Sequence, residues 1–146
     1  MAKEKKTYEE VSEYNKIATQ LVEKFPEKFG SVMVNQLVCY GITNKDRPDR
    51  KRELYDISAG KEPEAFTNSK KIFIEFYMSD WNERTPEQKL WLVYEGLRRI
   101  DTTVEPPKVM PLDYRDSAEL VRTLGPDWAE KETLPNPLSD KVNFRE

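Results

Sequence analysis

The sequence predicts an α+β domain: a small β-sheet with about three helices packed on it. Apolar residues recur at helical spacing in segments that begin with recognisable caps, and three short runs are dense in β-branched and aromatic side chains. Clusters of Pro, Gly and Asn separate them.

The elements follow in order. Thr7-Tyr8-Glu9-Glu10 reads as a capping box, with Val11, Tyr14, Ile17, Ala18, Leu21, Val22 and Phe25 behind it, so a helix is expected over about residues 8–24, ending at Pro26. Strands are expected near residues 37–42, 54–58 and 71–78, the last the strongest. Between the first two strands lies a loop rich in positive charge, with Lys45, Arg47, Arg50, Lys51 and Arg52 around Pro48. Residues 60–69 read as a connector. Thr85-Pro86-Glu87-Gln88 is the clearest helix start, leading into a segment through Ile100 that is apolar around most of its circumference at first. Asp113 is a candidate cap for a last helix containing Leu120, Val121 and Leu124, stopped by Gly125-Pro126. Residues 1–128 are expected to form one domain, and 129–146 a C-terminal tail or extended arm.

Composition narrows the chemistry. The chain has 146 residues, with 24 basic against 27 acidic side chains and a net charge of −3, which shows no basic nucleic-acid footprint. Three Trp, seven Tyr and six Phe supply apolar bulk for a core. Histidine is absent, which removes the commonest general base, the commonest metal ligand and every Ser-His or Cys-His pair. The single cysteine, Cys39, excludes an internal disulfide and a thiolate zinc cluster within the chain. In an apolar strand it reads as an inert buried thiol. A charged start without an apolar stretch and the lack of any run of about 20 apolar residues point to a cytoplasmic protein with no membrane partner.

A set of strings stands out along the chain: Lys24-Phe25-Pro26 with Phe29-Gly30, Tyr55, and Phe73-Ile74-Glu75-Phe76-Tyr77-Met78-Ser79-Asp80-Trp81. Glu87-Gln88, Leu92-Val93-Tyr94, Leu97, Ile100 and the run from Leu120 through Trp128 complete the set, over about residues 8 to 128. In these strings the chain resembles the phage-type metallopeptidases, a family with a zinc-binding HExxH helix. The resemblance implies a zincin-like scaffold and places the HExxH motif on Glu95-Gly96-Leu97-Arg98-Arg99. Glu95 and Arg99 then stand where the family has zinc-binding histidines, and Gly96 where it has the catalytic glutamate. Leu112 stands at or near the third ligand. Arginine has no lone pair to give a metal, so the resemblance implies a degenerate member with no catalytic residue, no metal and no cofactor.

Taken alone, Glu95 and Arg99 at i, i+4 read as a surface ion pair in the favourable order. With the resemblance they read as an ion pair plugging a former metal site. The expected function is a non-catalytic, protein-binding pseudo-metallopeptidase. By the family's phage association it would be phage or prophage encoded and engage a host protein, as an inhibitor of host defence. The candidate partner-binding residues are Trp91, Arg98, Arg99 and Tyr114. Two alternatives stay open: a nucleic-acid-binding module using the 45–52 loop, and a residual hydrolase using carboxylates such as Asp113 and Asp116 with a hard metal. Trp81, Trp91 and Trp128 are expected in the core or at its rim.

Overall fold

The structure, a computed structural model, describes residues 5–50, 53–61, 69–104, 106–111, 118–125, 128–131, 133–142 and 144. Strands β1 (Tyr8–Glu10), β2 (Leu37–Ile42), β3 (Tyr55–Ala59) and β4 (Ile72–Tyr77) form one mixed sheet in the order β1-β2-β4-β3. The central pair β2–β4 is parallel, with Cys39 opposite Ile74, and both edge strands run antiparallel to their neighbours. Period-two alternation sends Leu37 and Cys39 of β2, and Ile72, Ile74 and Phe76 of β4, to the face that carries the hydrophobic core.

Helices α1 (Ser12–Lys24), α2 (Pro26–Phe29), α3 (Met78–Glu83), α4 (Pro86–Arg98) and α5 (Ala118–Leu124) complete the mixed α/β architecture. Helix α1 buries Tyr14, Ile17, Ala18 and Leu21, a stripe at i, i+3, i+4 and i+7 that packs on β2 and α4. Its start differs from the expectation. Thr7–Glu10 does not cap a helix: residues 8–10 are strand β1, Thr7 Oγ1 meets Thr43 Oγ1 at 2.5 Å, and α1 has no side-chain cap. Pairing along β2 satisfies a row of backbone groups, which outweighs a single capping box.

Two short helices were not anticipated. Pro26 ends α1 and also opens α2, since proline suits the first turn of a helix. The apolar run after Ile72 stops being a strand at Met78 and turns into α3, whose Trp81 is 2% exposed and donates its indole N–H to Glu13 Oε1 at 2.8 Å.

Helix α4 begins as expected. Thr85 Oγ1 accepts from the Gln88 N–H at 3.2 Å, and Gln88 Oε1 accepts from the Thr85 N–H at 2.9 Å. Every residue from Leu90 to Leu97 is buried, because sheet, α1, α2 and the C-terminal arm surround this helix. It ends at Arg98 rather than Ile100, which joins a two-stranded hairpin of β5 (Ile100–Asp101) and β6 (Lys108–Val109). Gly125, at φ 104°, closes α5 in a conformation that glycine adopts without steric cost. Asp113 and Asp116 lie outside the described residues.

Beyond Trp128 several described residues pack on the core. Leu134 is buried, Phe144 stacks on Tyr94 at 5.5 Å, and the carbonyls of Lys131 and Pro135 accept from Gln88 Nε2 and Trp91 Nε1 at 2.7 and 2.8 Å. Among the described residues no helix is long and apolar enough to cross a membrane.

Candidate functional site

The Glu95–Arg99 segment occupies the last turn of α4 and its C-cap, where the helix meets β3, α1 and the β5–β6 hairpin. Glu95 is 1% exposed, and its Oε1 accepts the Tyr55 hydroxyl of β3 at 2.7 Å. Arg99 lies against the same tyrosine. Its Nε donates to the Met110 carbonyl at 2.9 Å, the Met110 N–H returns a bond to the Arg99 carbonyl at 2.7 Å, and the guanidinium lies 5.8 Å from the Tyr55 ring centre.

The direct ion pair expected between Glu95 and Arg99 is not formed among the described residues, whose ion pairs to one another are Lys28–Glu119, Arg47–Asp80, Lys89–Glu13 and Arg98–Glu119. Tyr55 stands between the two groups instead. Arg99 sits at the helix C-cap, where the Met110 carbonyl takes its Nε.

Gly96 faces α1. A Cβ built there would lie 2.5 Å from the Tyr14 hydroxyl oxygen, well inside ordinary contact. Tyr14 is 1% exposed and wedged against Phe76 and Trp81, at ring separations of 6.1 and 6.4 Å. Burial pushes the Tyr14 phenol well up from its ordinary value, with Cys39 and Glu95 adding to the rise and Arg99 opposing it. Burial pushes up Tyr55 as well, reinforced by the Glu95 charge and opposed by Arg99. Cys39 is 0% exposed and its thiol is likewise pushed far up by burial, so it is no nucleophile.

These residues do not fit a zinc ion. Arg99 has no lone pair and donates to a carbonyl, Gly96 offers no ligand, and the Glu95 oxygen already receives a proton donor. Among the described residues no group of three or more His, Cys, Asp or Glu side chains is arranged to hold a metal. Leu112 lies outside the described residues.

The described members of the candidate partner-binding set differ in their access to solvent. Trp91 is 0% exposed, its indole N–H spent on Pro135, so it is core and offers no surface to a partner. Arg98 keeps part of its side chain in solvent while its Nη2 pairs with Glu119 Oε2 at 3.3 Å. Arg99 is half-buried, and Tyr114 lies outside the described residues. In the basic loop Arg47 is spent on Asp80 at 2.7 Å, while Lys51 and Arg52 lie outside the described residues.

Glu119 was missed at the sequence level. Buried on α5, it gathers Lys28 Nζ at 3.2 Å, Arg98 and the Tyr94 hydroxyl, tying α2, α4 and α5 together. Its partners stand 21 to 91 positions away, so no local spacing announces it. No family model, curated protein or solved structure matches this chain, so the reading of its site rests on the geometry of its own residues.

Proposed function

We propose that this chain is a non-catalytic, protein-binding module on a pseudo-metallopeptidase scaffold. The observation that carries the reading is the packing of Tyr14 on Gly96. Where the resembled family holds its water-activating glutamate, this chain has no side chain, and the space is filled by a buried phenol from α1. Glu95 is committed to Tyr55 and Arg99 to the hairpin, so the helix end serves to hold the sheet, α1 and hairpin together rather than to activate water.

A scaffold whose former cleft is closed acts through its surface. The phage association of the resembled family makes a bacterial host protein the partner, with inhibition of a host defence as the role. Affinity capture from bacterial lysate tests this, run beside a peptidase assay on an unstructured protein substrate with and without added zinc. The expected result is one host protein retained in a near-stoichiometric complex, and no cleavage. Zinc-dependent hydrolysis by the purified chain would overturn the proposal.

A further inference from the structure

Strand β1 forms one edge of the sheet. The Thr7 carbonyl accepts from the Thr43 N–H at 2.9 Å, and the Val11 N–H donates to the Cys39 carbonyl at 2.8 Å, so the odd-numbered residues turn their backbone groups toward β2. Alternation along an antiparallel ladder then directs the N–H and C=O groups of Tyr8 and Glu10, and of Lys6 in line with them, to the outer side. Residues 5–10 are all exposed, so this edge lies open to solvent. A row of outward backbone donors and acceptors is a template for another strand.

The side chains along this edge are self-complementary. Lys6, Tyr8 and Glu10 alternate onto one face of the sheet, the face that carries Tyr40, with a positive charge, an aromatic ring and a negative charge in succession. Lys6 stands over the Tyr77 ring of that face, its ammonium 5.9 Å from the ring centre. Tyr8 leans on Tyr40 edge to face, with ring centres 6.4 Å apart at 72°. Tyr8 is 51% and Tyr40 39% exposed, so both rings still have apolar surface to cover. Turned end for end, the row presents Glu10, Tyr8 and Lys6, and a copy of itself meets opposite charges at both ends.

We infer that β1 pairs with β1 of a second copy of this chain, antiparallel about a two-fold axis at Tyr8. In this register Lys6 of each copy stands opposite Glu10 of the other, and the two Tyr8 rings meet at the centre beside their own Tyr40 rings. The outward groups of Tyr8, and those of Lys6 and Glu10, exchange main-chain hydrogen bonds, so two four-stranded sheets join into one. The direction of the backbone groups limits the alternatives, because only registers that set even-numbered residues against even-numbered ones close the ladder. An axis at Glu9 would set Glu9 against Glu9, and an axis at Thr7 would set Lys6 against Tyr8 and take Glu10 away from Lys6. The inference stands on the edge of the sheet and is independent of the protein-binding role proposed above.

Sedimentation velocity of the purified chain at up to about 300 µM tests it. A reversible dimer is expected, of the weak class that a short edge contact supports. Lys6→Glu and Glu10→Lys each set like charges opposite one another on both sides of the axis, and each should weaken the dimer at least about tenfold. An equimolar mixture of these two variants recreates both opposite-charge pairs and should dimerise within about threefold of the unaltered chain. Lys5→Glu makes the same change in net charge as Lys6→Glu at a position set opposite Val11, and should leave the affinity within about threefold. Tyr8→Pro removes an outward N–H that β2 does not use, so circular dichroism should show the fold kept while the dimer is lost. A chain that stays monomeric throughout, or a dimer as strong in Lys6→Glu and Glu10→Lys as in the unaltered chain, would overturn the pairing. So would a mixture no more dimeric than its two components, or a dimer that Tyr8→Pro leaves intact.

Discussion

Gly96→Ala should change the sign of its effect according to what stands at position 14. In an exposed helix this substitution stabilises by roughly 1 kcal/mol, because alanine gives up less backbone freedom than glycine. Here the new methyl carbon would lie 2.5 Å from the Tyr14 hydroxyl oxygen, roughly an ångström inside ordinary contact. Tyr14 cannot withdraw, since it is 1% exposed and held by Phe76 and Trp81. Overpacking of a dense interior costs about 1–3 kcal/mol, so the net expectation is destabilisation of about 1 kcal/mol. For a domain of this size that lowers the thermal midpoint by roughly 2–4 °C. Deleting the hydroxyl reverses the balance. The next Tyr14 atom is Cζ, at 3.8 Å from the new carbon, which is normal contact. In the Tyr14→Phe background, Gly96→Ala should therefore stabilise by up to about 1 kcal/mol. Urea denaturation of the four proteins, followed by the fluorescence of the buried tryptophans, gives the cycle. Additive effects, within about 0.3–0.5 kcal/mol, would refute the reasoning that Tyr14 closes this position.

Three further outcomes are expected. Glu119→Ala should destabilise by about 1–3 kcal/mol, because it removes the buried carboxylate that Lys28, Arg98 and Tyr94 share, and hydrogen exchange should quicken first in Ala118–Leu124. Phe144→Ala should cost about 1–3 kcal/mol in urea denaturation, as it removes the ring stacked on Tyr94 at 5.5 Å and the seat of Lys28 at 4.4 Å. Stability should fall as pH rises above about 8.5, since Cys39, Tyr14 and Tyr55 all have folded-state values raised by burial and the unfolded chain releases those protons first, the thiol from about pH 8.5 and the phenols from about 10. Each group contributes about 1.4 kcal/mol per pH unit above its unfolded value, and Tyr55→Phe should flatten the urea-midpoint slope above pH 10 by one such share.

The sequence by itself determined the elements whose causes are local. Thr85, Pro86 and Gln88 lie within one turn, so the start of α4 could be read from spacing alone. The β-branched run from Ile72 and the apolar run Leu37–Ile42 identified the two central strands, because burial on a sheet leaves a compact, dense signature. The lack of histidine was equally legible, and it narrows the chemistry whatever the fold. Tertiary structure alone decided the rest. Thr7–Glu10 has the residues of a capping box and became a strand because β2 offered it a ladder, a partner some thirty positions away that no local pattern records. Glu95 and Arg99 have the spacing of an ion pair, yet Tyr55 stands between them and the Met110 carbonyl takes the arginine Nε, through contacts 40 and 11 positions distant. Trp91 resembled an interface anchor until the arm closed over it at Pro135. In each case a short-range preference of about 1 kcal/mol or less was outweighed by burial and hydrogen bonds that exist only once distant segments meet.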